Sequence, residues 1–393
     1  MLSSLAFMAL LRWLVLIPVI CGSIFYFLCL ATALRFRRRR SRATEAPGQH
    51  WPAVTVLKPV CGLEKGLEEN LRSTCLQDYP EYEVILSAQR ADDPAIPLMW
   101  SIQQEFGASR ITVAIENRRV GTNGKVNNLL GGIGHARHQV LVISDSDVRL
   151  RPDYLRTIVA GLAEPGVGCV STLYKAAGAD TWYEKMELLT LNAELIPSVI
   201  FAYLTGASKP CLGASIALRR STLEGIGGLE GLADYLVEDS ELGRRIVSSG
   251  RKLAILPYTV DTILDLKSPR EWWNHQIYWD QNHRAARPYA YFSAVIVRAV
   301  PFAALYALVR FFDSTGLFVL ASAVALRLVV SGFILGVALR DREGLRCLHL
   351  LPIRDLIALW FFILAYAKRT TVWRGTRFAL TRDGRLVDAE PQG

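Results

Sequence analysis

Cysteine is scarce in this sequence and never forms a CxxC pair. The chain has 7 cysteines among 393 residues, and they are scattered along it. A disulfide framework needs a regular set of paired cysteines. The spacing therefore excludes such a framework and indicates reduced thiols that face the cytosol or lie in apolar surroundings.

Signals for nucleic-acid binding are also missing, although the chain carries a net charge of +9. No aromatic-interleaved basic patch and no zinc-ligand spacing accompany that charge. Much of the excess lies at residues 35–42 and 368–385, and both blocks flank apolar segments. We therefore expect these blocks to contact anionic lipid headgroups, and we expect no nucleic-acid partner.

An uncharged apolar run near the start predicts a membrane anchor. Residues 13–34 carry no charge, and about 20 apolar residues suffice to cross a bilayer. No small-residue cleavage site precedes the arginine block that follows, so we predict an uncleaved anchor over 1–34 and a basic linker over 35–52. Because arginine clusters flank spans mainly on the cytoplasmic side, the next domain is predicted to be cytoplasmic.

Apolar composition returns toward the end of the chain. Residues 313–367 contain two runs long enough to span, and Arg327 and Arg354 within them must face a partner, a cavity or the interface. The apolar runs of 289–312 are broken by charge and proline, which predicts an interfacial or re-entrant segment. Two spans would return the basic tail, 368–393, to the cytoplasm.

Short apolar runs alternate with helical stretches in the middle of the chain. Strands are predicted at 53–60, 82–89, 110–116 and 139–145. This alternation implies crossover connections and a mainly parallel sheet with both faces covered. Ligands gather at the carboxyl ends of the strands in such sheets. We therefore predict an α/β domain over 53–288 with its site at that edge.

Two aspartates follow the last of these strands, in VLVISDSDVRL at 140–150. An Asp-x-Asp turn can present Asp145 and Asp147 to one hard divalent cation, and Mg²⁺ typically takes one or two carboxylates plus substrate phosphates. Such a cation would neutralise a diphosphate leaving group. The alternative is a solvated turn with an acidic flank, and the motif alone does not separate the two.

Further polar residues lie at comparable positions. Asp92 and Asp93 come just after the second predicted strand, where a carboxylate can accept hydrogen bonds from a base or ribose. Lys125 stands at a glycine-flanked helix start, a place suited to phosphate. Glu238 and Asp239 precede a helical run, and they fit equally well a helix start whose acidic residues favour the dipole.

The order of several motifs resembles family-21-type glycosyltransferases. These motifs are TVLKPV, DDPAI, GKVNNL, SDSD and ED, followed by a Trp/His/Arg-rich segment before terminal spans. This group, within the GT2-like superfamily, contains the ceramide glucosyltransferases and the bacterial hopanoid glycosyltransferases. The resemblance covers residues 53–290 and the membrane layout. It implies a GT-A fold with a Rossmann-like, mainly parallel sheet, a UDP-sugar donor, Mg²⁺ or Mn²⁺, and inversion at the anomeric carbon.

The same resemblance implies a role for each acidic group. Asp92 is implied as a nucleotide contact. Asp145 is implied to contact the UDP-sugar and to bind the metal, and Asp147 completes the metal-binding pair. Asp239 is implied as the general base. An inverting transfer needs one base to take the proton from the attacking hydroxyl, and a metal to stabilise the departing diphosphate.

The final family segment, (Q/R)xxRW, is altered in this chain. His275 stands at the Gln/Arg place, Tyr278 stands at the Arg place, and only Trp279 is retained. His275 and Trp279 stay candidate donor contacts. Basic residues that can replace the missing Arg follow closely: His283, Arg284 and Arg287. The alternative is an interfacial amphipathic helix whose aromatic and basic side chains anchor the headgroup zone.

Together with the apolar runs, the resemblance implies an inverting membrane glycosyltransferase that moves a hexose from a UDP-sugar to the hydroxyl of a ceramide-like or hopanoid-like lipid. The protein is predicted to be integral to the membrane, in a bacterial inner membrane, with its catalytic domain in the cytoplasm. The alternative of a processive polysaccharide synthase would require an intact QxxRW motif and more spans, and the sequence shows neither. A catalytically silent scaffold for lipid enzymes is a further alternative, whereas a transporter would need more spans.

Overall fold

The computed structural model describes residues 2–39, 51–367, 370–373, 376–381 and 385–388. Its α-helices, in chain order, are α1 (Leu2–Arg38), α2 (Leu67–Cys75), α3 (Ile96–Phe106), α4 (Gly124–Ile133), α5 (Tyr154–Leu162), α6 (Trp182–Thr190), α7 (Ile196–Thr205), α8 (Arg220–Gly225), α9 (Glu238–Ser248), α10 (Pro269–Ala286), α11 (Pro288–Ser293), α12 (Ala299–Val309), α13 (Ser314–Phe333), α14 (Arg342–Cys347) and α15 (Leu351–Ala367). Its strands are β1 (Val54–Pro59), β2 (Tyr82–Ala88), β3 (Ile111–Ile115), β4 (Val140–Ser144), β5 (Val148–Arg149), β6 (Val167–Ala177), β7 (Ser215–Arg219), β8 (Lys252–Ile263), β9 (Thr370–Trp373), β10 (Thr376–Leu380) and β11 (Leu386–Asp388). Residues 40–50 of the predicted linker and much of the predicted tail lie outside the described residues.

The chain folds into two compact units. The helical unit comprises residues 1–38, 179–205 and 266–371, and the sheet unit comprises 39–178, 206–265 and 372–393. Segments 179–205 and 266–288 lie inside the catalytic domain predicted over 53–288, yet they belong to the helical unit. The predicted domain bounds stay a prediction.

The sheet unit is built on an eight-stranded sheet in the order β3-β2-β1-β4-β7-β6-β8-β5. β3, β2, β1 and β4 run parallel, with Val54 opposite both Tyr82 and Val140. β7 then runs antiparallel to β4 and β6, β8 pairs in parallel with β6, and β5 is antiparallel to β8. The predicted α/β class and the four predicted strands are confirmed. The carboxyl ends of β1, β2 and β4 meet at one edge.

Continuous burial explains why these strands read as unbroken apolar runs. Every residue of β1, β2 and β4 is buried, which is typical of strands covered on both faces. Helix α5 shows the matching helical pattern, because Leu155, Ile158, Val159 and Leu162 recur on one face and are buried. Each fully buried side chain of this kind contributes about 1.5–3 kcal/mol.

The helical unit contains the long apolar helices. By length and composition, four stretches of the described residues can cross a membrane: Ala6–Arg38, Trp182–Thr205, Ser314–Leu339 and Arg342–Ala367. A bent pair, Pro288–Val297 with Ala299–Val309, has an angle of 51° and lies in the segment predicted to be interfacial or re-entrant. Trp182–Thr205 was not predicted as a span, because charges such as Glu187 and Glu194 interrupt its apolar pattern.

The charged residues inside these apolar helices are paired. Arg327 Nε lies 2.8 Å from Asp355 Oδ2, and Arg354 lies 3.1 Å from the other oxygen of the same carboxylate. Arg354 also contacts Glu194, and Arg327 lies over the Tyr26 ring at 4.7 Å. The expectation that both arginines face a partner is confirmed. An unpaired charge at that depth would be expensive.

We expect Asp355→Asn to lower the free energy of unfolding by about 3 kcal/mol, because it leaves two buried arginines without their shared carboxylate. Unfolding in detergent, followed by circular dichroism, measures the change. Glu68→Gln is the matched control, since Glu68 is 55% exposed and pairs with Arg72 at the surface; such pairs contribute about 1 kcal/mol or less. Equal effects of the two substitutions would contradict a stabilising buried network.

Candidate active site

A buried lysine of β1 holds the acidic turn after β4 through hydrogen bonds to its backbone. Lys58 is fully buried, and its Nζ donates to the carbonyl oxygens of Asp145 at 2.9 Å and Val148 at 3.0 Å. Burial lowers the pKa of Lys58 to about 8, against the opposing effect of Asp147 and Asp145. Lys58 thus fixes both ends of the turn that carries the two aspartates. Sequence reasoning missed it, although a lysine within a buried apolar strand was the available signal.

Asp147 lies in a strongly negative environment. Burial raises its pKa to about 7, and the neighbouring carboxylates of Asp145 and Glu64 add to that increase. Glu64 also accepts a hydrogen bond from the Ser146 hydroxyl at 2.8 Å, within the same turn. The turn therefore concentrates carboxylates around two partly buried aspartates.

Lys125 connects the acidic turn with the second acidic motif. It lies in the first turn of α4, whose N-cap Asn123 accepts from the Val126 N–H. Its Nζ lies 2.7 Å from Asp145 Oδ1 and 3.1 Å from Glu238 Oε1. Burial alone lowers the pKa of Lys125, but the two carboxylates outweigh it and raise that pKa above the ordinary value. The structure thus brings together two motifs that lie far apart in sequence.

Asp239 lies in the first turn of α9, close to a glycine. A Cβ placed on Gly213 would lie 2.7 Å from Asp239 Oδ2, so only glycine leaves room for the carboxylate. Gly213 also accepts a hydrogen bond from Lys125 Nζ through its carbonyl oxygen at 3.2 Å. Burial and the adjacent Glu238 raise the pKa of Asp239 to about 7. The predicted acidic helix start is present, and it places a high-pKa carboxylate in the site.

Asp92 and Asp93 have different surroundings. Asp92 is exposed and pairs with Arg90 at 2.5 Å. Asp93 is buried, and it accepts from the backbone N–H groups of Gly62 at 3.0 Å and Ala95 at 2.9 Å. Asp93 therefore stabilises the loops after β1 and β2, and a nucleotide contact at Asp92 stays a prediction.

His275 and Trp279 lie on α10 in the helical unit, one helical turn apart. Trp279 Nε1 donates to His275 Nε2 at 3.0 Å, and His275 Nδ1 lies 2.9 Å from Glu187 Oε1. Glu187 is fully buried. It was not predicted as a site residue, and its surroundings were predicted to be part of the catalytic domain. The predicted donor contacts of His275 and Trp279 stay predictions.

The side chains of the acidic turn suit a hard divalent cation. Their oxygen donors match the preference of Mg²⁺ and Mn²⁺. Among the described residues, no group of three or more His, Cys, Asp or Glu side chains is arranged to hold a metal by itself. The oxygen donors of the turn are the carboxylates of Asp145 and Asp147, and Mg²⁺ typically takes one or two carboxylates plus substrate phosphates. The residues present therefore fit the implied metal.

The sheet unit is a mixed α/β fold of the GT-A kind, with an acidic site at the carboxyl edge of its parallel strands. The chain belongs to glycosyl transferase family 21, because the sequence model of that family matches residues 14–386. The family predicted from the motifs is thereby confirmed.

Three relatives show the range of similarity. Ceramide glucosyltransferase 1 of Caenorhabditis elegans is 28% identical over 213 residues, which cover 53% of this chain and 45% of that protein. Ceramide glucosyltransferase 3 of the same species is 25% identical over 247 residues, or 60% and 52% of the two chains. The ceramide glucosyltransferase of Komagataella phaffii is 31% identical over 99 residues, or 24% and 19%. The chain spans about half the length of the first two relatives.

Solved structures of glycosyltransferases are more distant. The mannosyltransferase PcManGT from Pyrobaculum calidifontis, in complex with GDP-Man and Mn²⁺, is 20% identical with a TM-score of 0.47, and the match covers 89% of this chain and 98% of that chain. S. aureus TarS 1–349 in complex with UDP-GlcNAc is 13% identical with a TM-score of 0.39, covering 86% and 99%.

Asp239→Asn should raise the melting temperature at pH 8 by about 2–5 °C. The folded carboxyl has a pKa of about 7, whereas the unfolded one titrates near 3.8. Between these values the unfolded chain releases a proton that the folded chain keeps, so folding weakens as pH rises. Scanning calorimetry without metal or nucleotide should show the gain at pH 8 and its loss toward pH 4. Asp92→Asn is the control, because Arg90 lowers the pKa of Asp92 and no gain is expected.

Gly213→Ala should reduce the turnover of the enzyme about 100-fold, because its methyl group displaces the Asp239 carboxylate. The matched control is Gly134→Ala, since a Cβ at Gly134 meets nothing within 4 Å. Steady-state transfer kinetics of both variants, with melting curves to confirm folding, measure the effect. Unchanged turnover in Gly213→Ala would show that the position of Asp239 does not matter.

Proposed function

We propose that this chain is a membrane-anchored, inverting glycosyltransferase that moves a hexose from a UDP-sugar to the hydroxyl of a membrane lipid. The observation that carries the proposal is the lysine bridge. Lys125 reaches both Asp145 of the metal-type turn and Glu238 beside Asp239. One side chain thus joins the place suited to a diphosphate with the place suited to a base.

Asp239 is the proposed general base. It would take the proton from the lipid hydroxyl while that oxygen attacks the anomeric carbon from the face opposite the leaving UDP. A base works best when its pKa lies near the working pH, and burial raises the pKa of Asp239 to about 7. The carboxylate is therefore basic enough to accept the proton and still mostly ionised slightly above neutral pH.

Asp145 and Asp147 are the residues that would hold Mg²⁺ or Mn²⁺. When bound, such a cation supplies Lewis-acid stabilisation of charge on the departing diphosphate. The Nζ of Lys58 fixes the turn, because it donates to the carbonyl oxygens of Asp145 and Val148. Lys125 offers an ammonium to the same phosphates, and Asp92 is the proposed contact to the nucleoside.

The acceptor and the donor sugar are inferred from the relatives. The names of several relatives specify ceramide and glucose, and the candidate spans of the helical unit support a substrate that stays in the bilayer. We therefore propose a ceramide-like or hopanoid-like acceptor. The arginine block of residues 35–42, which begins in the last turn of α1, supports a cytoplasmic catalytic domain, which in a bacterium would lie at the inner membrane.

A transfer assay tests this function. Purified protein in lipid-containing micelles is incubated with Mg²⁺ or Mn²⁺, a panel of UDP-sugars, and ceramide, diacylglycerol and hopanoid polyol acceptors, and products are identified by mass spectrometry. One glycosylated lipid should form, and it should disappear with EDTA and with Asp145→Ala. Asp239→Asn should keep UDP binding but lower turnover about 10³-fold.

The alternatives give different outcomes in the same assay. A polymer of sugar instead of a single glycolipid would identify a processive synthase. UDP binding that depends on metal, together with no product from any pair of UDP-sugar and acceptor, would favour a silent scaffold.

The pH profile is a separate prediction. Because the base must be ionised and its pKa is about 7, kcat/KM should fall about tenfold per pH unit below that value. Initial rates between pH 5 and 9, with saturating metal, give the profile. A rate that stays constant down to pH 5 would exclude Asp239 as the base.

A further inference from the structure

We propose that Glu187 and His275 form a positioning pair that orients the indole of Trp279. The inference rests on the proposed function in one respect only, namely that transfer activity depends on the orientation of Trp279. His275 is then a positioning residue and not a direct contact of the donor.

The geometry at His275 is closely defined. Trp279 Nε1 lies 3.0 Å from His275 Nε2, and the two rings meet edge to face, with centroids 5.9 Å apart and planes at 84°. The i,i+4 spacing on α10 places both side chains on one helix face. The imidazole therefore limits the rotation of the indole.

The hydrogen bonds also assign the tautomer of His275. An indole N–H can only donate, so Nε2 must carry a lone pair and not a proton. The ring proton is then on Nδ1, where it donates to Glu187 Oε1 at 2.9 Å. A carboxylate can only accept, so Glu187 selects the tautomer that the indole needs.

Glu187 is itself held by a polar network within the helical unit. Its other carboxylate oxygen accepts from the Gln276 side-chain amide. Gln276 Oε1 lies 3.2 Å from the Thr190 hydroxyl, which in turn accepts from Arg354 Nε at 3.0 Å. The pair is thus connected to the ion pairs of α15. A buried carboxylate with several partners gives a rigid support, so the orientation of the indole is set by three helices.

Substitutions at position 275 test this role, because the introduced side chains differ in their ability to accept a hydrogen bond from the indole. Glutamine can donate to Glu187 and accept from the indole at the same time. Arginine can donate to Glu187 but cannot accept. We expect His275→Gln to recover most of the transfer activity, whereas His275→Arg and His275→Ala lower kcat about 30- to 100-fold. His349→Ala, which changes an exposed histidine of the same unit, is the control for general effects.

A spectroscopic readout tests the pair without relying on activity. The full chain is labelled with ¹⁵N-tryptophan in micelles, and the indole N–H signal of Trp279 is assigned by its loss in Trp279→Phe. His275→Arg and His275→Ala should shift this signal, and His275→Gln should shift it much less. An unmoved signal in His275→Arg would overturn the proposal. If the wild type transfers no sugar, the proposed function fails, but the indole signal still decides on the pair.

A double substitution covers the case in which a single variant folds poorly. In a Trp279→Phe background the indole N–H is gone, so His275→Arg should cause little further loss of activity. Strictly additive losses would mean that His275 acts independently of Trp279, and the proposal would then be wrong. Melting curves of all variants show which ones retain the fold.

Discussion

The structure of the site depends on the balance of buried charge at the carboxyl edge of β4. Carboxylates crowd this edge, and burial together with mutual repulsion raises the pKa of Asp147 and Asp239 to about 7. Two lysines offset part of this negative charge. Lys58 donates to the carbonyl oxygen of Asp145, and Lys125 pairs with both Asp145 and Glu238. The remaining negative charge suits a divalent cation, and the raised pKa of Asp239 suits a base. The electrostatic arrangement that suits the proposed chemistry therefore lowers the stability of the fold above neutral pH.

The helical unit also contains buried charges, which lie in apolar surroundings. Arg327, Arg354, Asp355 and Glu194 are mutually paired where unpaired charge would be costly. The network continues through Thr190 and Gln276 to Glu187. Polar groups inside such helices are functional candidates, because a purely structural role would be served by apolar side chains at lower cost.

Local patterns were sufficient to predict much of the fold. Four strands follow from short apolar runs between turn residues, and their parallel pairing follows from the intervening helices. The candidate span Trp182–Thr205 escaped prediction because its charges obscure the hydropathy. Two of them, Glu187 and Glu194, pair with residues far away in the chain. The same reason hides Glu187, whose partners come from α10.

The sequence by itself determined the class of the fold, the acidic edge and the family, because these depend on short-range periodicity and on short motifs that are recognisable in the sequence. The tertiary structure alone decided which charges meet. It paired Lys125 with Asp145 and Glu238, gave Asp239 its place beside Gly213, and joined His275 to both Glu187 and Trp279. Coulomb interactions and hydrogen bonds act over a few ångströms in space, and distance along the chain does not predict that separation.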